Sequence, residues 1–253
     1  MIELDKIYNE DCIEGMKRIQ DGSVDAIICD LPYGTTANKW DGIIPFDKLW
    51  EQYKRVIKPR GVIALFSQQP FTSALVMSNP KMFKYEWIWE KELGTGFLNA
   101  NFAPLKIHEN ICIFSFGSAS QTKTNENRIV YNPQYTKGDP YVSKAGGTSL
   151  NYRLEHRVTK VNDGKRYPND IIRFSRDSDS FHPTQKPVDL LRYLVRTYSD
   201  EGDTILDNCM GSGTTAVACI KENRHFIGFE LNKEYYDKAC KRIAAEKAQL
   251  TLF

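Results

Sequence analysis

The sequence predicts an α/β fold on a mostly parallel sheet, interrupted by one insertion of different composition. Three observations carry this. Short apolar runs of strand length alternate with segments of helical spacing. One such run leads through glycines straight into a helical segment, "ILDNCMGSGTTA" at 205–216. Between 118 and 180 the apolar runs vanish, and Asn, Thr, Lys, Arg, Tyr, Gly and Ser take over. The chain has 253 residues, 41% of them hydrophobic, enough for the core of one large α/β domain.

Taken in order, "CIEGMKRIQDGS" reads as a short helix and a turn, and "VDAIIC" (24–29) as a buried strand. "FDKLWEQYKRVIKPRG" (46–61) has helical spacing and ends in Pro-Arg-Gly, a stop signal. "VIALFS" (62–67) is the next buried strand, and "FTSALVMSN" is helical. "FKYEWIWEK" (83–91) and "HENICIFSF" (108–116) are β-rich. After the insertion, "PVDLLRYLVRTYSD" (187–200) reads as a helix with Pro187 at its start. "DTILDN" (203–208) is a strand, "GTTAVACIKEN" (213–223) a helix, and "HFIGFEL" (225–231) a strand. A terminal helix spans 232–250, with Asn232 as its cap. Strand, helix, strand, helix implies right-handed crossovers and parallel pairing.

The net charge is only +2, so no global field marks a nucleic-acid partner. The insertion differs locally. It holds 11 Lys and Arg against 7 Asp and Glu, and Tyr131, Tyr135, Tyr141, Tyr152 and Tyr167 interleave with the cations. That composition suits a module touching phosphates. The six cysteines include no C-x-x-C pair and read as buried thiols. His108-Glu109 lacks a second histidine four residues on, so no metal site is expected. Trp87 and Trp89 read as core or interface. The start, "MIELDKIYNEDC", is too polar for a secretory signal, and no apolar run approaches the ~20 residues of a membrane span. A cytoplasmic protein with no membrane partner is expected.

In the glycine loop, Gly211 and Gly213 allow a tight turn and close approach of a ligand. Glu230, at the end of the next strand, can accept bonds from ribose hydroxyls, and Asp207 reaches the same crevice. Gly211-x-Gly213-x-x-Ala216 also satisfies the dinucleotide pattern, which leaves an oxidoreductase open. Against it, the loop lies too near the end of the sequence for two nucleotide-binding halves. A single-nucleoside cofactor such as S-adenosylmethionine suits the unit.

"DLPY" (30–33) closes the strand "VDAIIC". Pro32 has no N–H and holds Leu31 extended, so the Leu31 carbonyl can face outward. Asp30 and that carbonyl are two acceptors, and Tyr33 is a flat face. An exocyclic amino group of a nucleic-acid base, extruded from its duplex, matches them. Two acceptors on its hydrogens free the nitrogen lone pair to attack a methyl donor.

Asp30-Leu31-Pro32-Tyr33 resembles the D-P-P-Y motif of DNA amino-methyltransferases. "DNCMGSGTT" (207–215) is similar to that family's D-P-F-x-G-S-G-T-T loop, "HPTQKP" (182–187) to the segment before it, and "NEDC" (9–12) to its short acidic segment. With the catalytic motif first and the cofactor loop last, the order resembles the β group. This implies a circularly permuted Rossmann-like methyltransferase with a mostly parallel seven-stranded sheet. Residues 1–117 and 181–253 would form the catalytic domain and 118–180 the target recognition region. It implies S-adenosylmethionine as cofactor and DNA, double-stranded, as substrate, methylated at adenine N6 or at cytosine N4. Asp at position 30 leans toward adenine. Asp30, Leu31, Pro32 and Tyr33 would hold the base. Asp11, Cys12, Asp207, Gly211, Gly213, Thr214 and Glu230 would serve the cofactor, with Lys186 closing the pocket over it. His182 would be structural or cofactor-side. The resemblance also admits a homodimer and a cognate restriction endonuclease as partners. Three departures stand out: Leu31 replaces a proline, and Asn208 and Cys209 replace proline and phenylalanine.

Overall fold

A computed structural model describes residues 2–34, 42–120, 125–143, 160–177 and 185–250. His182, Tyr152 and the stretch 35–41 after the D-L-P-Y motif lie outside the described residues. The chain divides into two compact units, Met1–Asn132 with Asp170–Phe253, and Pro133–Asn169.

Strands in chain order are β1 (Lys6–Tyr8), β2 (Val24–Asp30), β3 (Ile57–Ser67), β4 (Phe83–Thr95), β5 (Lys106–Phe114), β6 (Thr136–Lys137), β7 (Tyr141–Ser143), β8 (Lys160–Asn162), β9 (Lys165–Arg166), β10 (Ile171–Arg173), β11 (Thr204–Asp207) and β12 (His225–Phe229). The helices are α1 (Cys12–Met16), α2 (Phe46–Val56), α3 (Phe71–Ser78), α4 (Val188–Tyr198), α5 (Thr214–Lys221) and α6 (Lys233–Leu250).

The larger unit holds a sheet in the order β1-β12-β11-β2-β3-β5-β4-β10. Pairing is parallel except where β5 meets β3 and β4. The expected seven strands are joined by an eighth, β10, from the tail of the expected insertion. Its Ile172 is buried in register with Trp89, so a short β-branched run finds an apolar edge to complete.

Successive residues of β2 serve opposite faces, as the two-residue period requires. Ala26 and Ile28 meet Leu190, Leu194, Ala216 and Ala239 of α4, α5 and α6. Ile27 and Cys29 meet Met16, Leu49, Tyr53 and Leu75 of α1, α2 and α3. The result is three layers, with the sheet between two sets of helices. Trp87 and Trp89 are buried in the first of these cores.

The helix expected over 46–61 stops at Val56, and strand β3 begins at Ile57. Pro59 and Gly61 thus sit inside a strand. The register between β2 and β3 shifts at Val24/Ala26, so this Lys-Pro-Arg-Gly stretch bulges rather than pairs. A Cβ on Gly61 would lie 2.6 Å from the Asp25 carbonyl oxygen, which is why glycine closes the bulge.

The smaller unit contains two antiparallel ribbons, β6 with β9 and β7 with β8. Tyr135 and Tyr167 meet edge to face at 4.9 Å, Lys165 lies 3.5 Å over the Tyr135 ring, and Arg166 lies 4.7 Å over Tyr141.

Candidate active site

The chain runs from β2 to β3 on one side of the sheet and from β11 to β12 on the other, while β2 and β11 are neighbours. At such a switch point the connections diverge and leave a crevice beyond the strand ends. Asp30 ends β2 and Asp207 ends β11, so both carboxylates stand at that crevice. A cavity of about 760 Å³ opens there. It is lined by Asp30, Leu31, Pro32 and Tyr33 and also by Asp11, Cys12, Lys186, Asp207, Gly211, Thr214 and Glu230.

The glycine loop is held from behind. Gly211 has φ +52 and donates its N–H to Glu230 Oε2 at 2.8 Å. Glu230 Oε1 accepts from the Asn232 N–H at 2.8 Å. Gly213 takes φ +76 as the cap of α5, and a Cβ there would lie 3.2 Å from Ala239 Cβ. It therefore shapes the loop against α6 and is not among the cavity-lining residues. Thr214 opens α5 and lines the cavity. Asp11 caps α1, its Oδ1 accepting from the N–H groups of Ile13 and Glu14 at 2.9 and 3.1 Å.

Asp207 is buried, and its oxygens accept from Thr215 Oγ1 at 2.6 Å and the Cys209 N–H at 3.0 Å. Burial pushes its carboxyl up to about 6, against those two hydrogen bonds. The raised folded value means the native state holds this proton more tightly than the unfolded chain. Its stabilising contribution is complete below the ordinary aspartate value and is lost as pH rises through about 6, on the order of 3 kcal/mol. Asp207→Asn is expected to gain thermal stability relative to the parent as pH rises from about 4 to 7. A melting-temperature difference that does not change with pH would refute it.

The departures at 208 and 209 have a physical account. Asn208 is buried, and its Oδ1 accepts from the Tyr53 hydroxyl at 2.5 Å, which ties the loop to α2. Its Nδ2 points at Cys12 and Cys209 sulfurs at 3.6 and 3.5 Å. Three small polar contacts thus fill the space around this turn.

At the other end of the cavity, Tyr33 donates its hydroxyl to Asp30 Oδ1 at 2.6 Å, and its ring packs 5.2 Å from Phe71. The Leu31 side chain is buried in the core shared with α1, α2 and α3. Leucine therefore anchors the turn where the motif usually has proline. Lys186 donates from Nζ to Asp30 Oδ2 at 2.5 Å and lies 3.2 Å from Glu109 Oε2. The structure thus brings Lys186 to the D-L-P-Y carboxylate. Glu109 and its partner Lys91 are buried beside it. In the sequence Glu109 stands out only beside His108, as half of a metal motif; nothing in a strand's two-residue period separates an inward acid from an outward one.

A family model described as DNA methylase, for the N6/N4 amino-methyltransferases, matches residues 24–241. The chain belongs to that family. Its fold is that of the S-adenosylmethionine-dependent DNA methyltransferases. Among curated relatives, it is 27% identical over 270 residues to Type II methyltransferase M1.MboII of Moraxella bovis, covering 94% of this chain and 96% of that one. It is 28% identical over 254 residues to Type II methyltransferase M.HpaI of Haemophilus parainfluenzae, covering 95% and 74%. A solved structure of an M1.HpyAVI–SAM complex superposes with a TM-score of 0.61 at 23% identity, covering 94% of this chain and 98% of that one. The cytosine-N4-specific PvuII DNA methyltransferase superposes at 0.67 with 13% identity, covering 94% and 85%.

Proposed function

We propose that this methylase transfers the methyl group of S-adenosylmethionine to N6 of adenine within a specific DNA sequence. The observation that carries the reading is one cavity with the D-L-P-Y carboxylate at one end and the glycine loop with Glu230 at the other. The donor set fits such a cofactor. Glu230 uses one lone pair on each oxygen to hold backbone N–H groups, which leaves others for ribose hydroxyls. When bound, S-adenosylmethionine supplies an electrophilic methyl group.

The chain supplies the rest. Asp30 and the Leu31 carbonyl accept the amino hydrogens, and Tyr33 offers its ring to the extruded base. An aspartate at the head of the motif supports adenine. The insertion over 118–180 reads the DNA. Lys165 and Arg166, stacked on Tyr135 and Tyr141, support that role because such cations are held in place to meet phosphates.

The test is incubation of the protein with methyl-labelled cofactor and bacterial genomic DNA, followed by identification of the labelled nucleoside. Label on N6-methyladenine is the expected result. Label on cytosine overturns the choice of base, and no label overturns the reading.

A further inference from the structure

We infer that Lys186 and Glu109 are positioning residues for Asp30, linked with Lys91 in a buried chain of alternating charge that sets the ionisation and aim of the Asp30 carboxylate. The inference rests on the reading of Asp30 as the acceptor for the substrate amino group.

The chain draws on four separate segments: the end of β2, the residue before Pro187, and the adjoining strands β5 and β4. Lys186 Nζ bonds Asp30 Oδ2 at 2.5 Å and stands 3.2 Å from Glu109 Oε2. Glu109 Oε1 pairs in turn with the Lys91 ammonium. The side chains of Lys186, Glu109 and Lys91 are 9%, 8% and 5% exposed, whereas that of Asp30 is 26% exposed. All four line the cavity, and Asp30 is the one that opens most to solvent. Among the described residues Glu109 Oε2 makes no aligned hydrogen bond, and the Lys186 ammonium stands 3.2 Å from it. The four charges cancel. An apolar set of similar volume would hold the fold as well or better. What only the ions provide is a fixed field at Asp30.

Asp30 faces the Tyr33 hydroxyl from its own loop, Lys186 from the segment before α4, Glu109 from β5 and Asp207 from β11. Burial raises the Asp30 carboxyl, the Lys186 ammonium opposes this, and Glu109 adds to it. For Glu109 itself, burial is outweighed by Lys186 and Lys91, which bring it down to about 2. Glu109 thus stays ionised and carries the effect of Lys91 toward Lys186.

The signs give a test that loss of packing cannot imitate. In ligand-free protein, carbon-13 NMR of labelled aspartate carboxyls follows the Asp30 titration, assigned by its absence in Asp30→Asn. Lys186→Met should move that titration upward by about one to three pH units, since one opposite charge is worth that much. Glu109→Gln should move it downward, and Lys186→Arg should keep it near the parent value. The acid limb of methyl transfer should move in the same directions. No shift, or shifts of one sign in both neutral variants, overturns the inference. Parent protein that transfers no methyl, with the NMR shifts as expected, overturns the proposed function and leaves the field at Asp30 standing.

Discussion

Asp30→Ala is expected to lower methyl transfer about 100- to 1,000-fold, the scale of removing one preorganised polar group from a transition state. S-adenosylmethionine binding, measured by calorimetry, should stay close to that of the parent. The split follows from the two ends of the cavity. Asp30 is engaged by Tyr33 and Lys186, and neither contacts Glu230 or Gly211 through the hydrogen bonds that fix the glycine loop. Alanine removes the acceptor and also strands Lys186, leaving the chain of charges with a net positive excess beside Glu109. Some loss of thermal stability is therefore expected as well, because an ion left without its partner in a buried site is costly. Circular dichroism separates that effect from the catalytic one. If cofactor binding falls together with transfer, Asp30 serves the cofactor or the fold, and its role as amino-group acceptor is wrong. Asp30→Asn is the sharper companion. It keeps the shape and one acceptor oxygen but loses the charge, so transfer that survives in Asn and not in Ala would assign the effect to hydrogen bonding rather than to the field.

The two strand-end carboxylates were legible in the sequence because each follows an apolar run too short to be anything but a buried strand. Once β2 and β11 are neighbours, Asp30 and Asp207 must share a crevice. The glycine loop was legible for a similar reason: positive φ at Gly211 and Gly213 is a local demand that only a few residue types meet. Lys186 was found by motif but its partner was not. Its contact with Asp30 spans 156 positions in the chain, and no local pattern encodes such a pairing. Glu109 and Lys91 were missed for a related reason. They lie on segments that read only as β-rich, and a charge facing inward looks in sequence like a charge facing water until its counter-ion is known. The stop of α2 at Val56 was misplaced because Pro-Arg-Gly ends a helix equally well at several positions. What decides is the bulge against β2, where Gly61 faces the Asp25 carbonyl.

Glu230→Gln is expected to weaken S-adenosylmethionine binding about 10- to 100-fold, although glutamine has nearly the same shape. The reason lies in the donors that the carboxylate meets. Both of its oxygens accept backbone N–H groups, Gly211 through Oε2 and Asn232 through Oε1, each at 2.8 Å. A glutamine amide has one acceptor oxygen, so its NH₂ must face one of these N–H groups donor to donor. If it faces Gly211, the loop at φ +52 loses the bond that holds it open to the cavity. If it faces Asn232, the turn into α6 loosens. Either way, a hydrogen bond to a charged group disappears, worth roughly 1.5–3 kcal/mol, or about one to two powers of ten in affinity. The carboxylate is the scaffold for the loop, and in the proposed function it is also the acceptor for the ribose. Burial raises its carboxyl above the ordinary glutamate value, with the Asn232 and Gly211 N–H groups opposing. Acidification should therefore weaken cofactor binding in the parent but much less in Glu230→Gln, which has no proton to gain there. Calorimetry at neutral pH and again near the carboxylate range reads both effects. Equal affinity of parent and variant would mean that the loop keeps its shape without this acid, and that the ribose is held elsewhere.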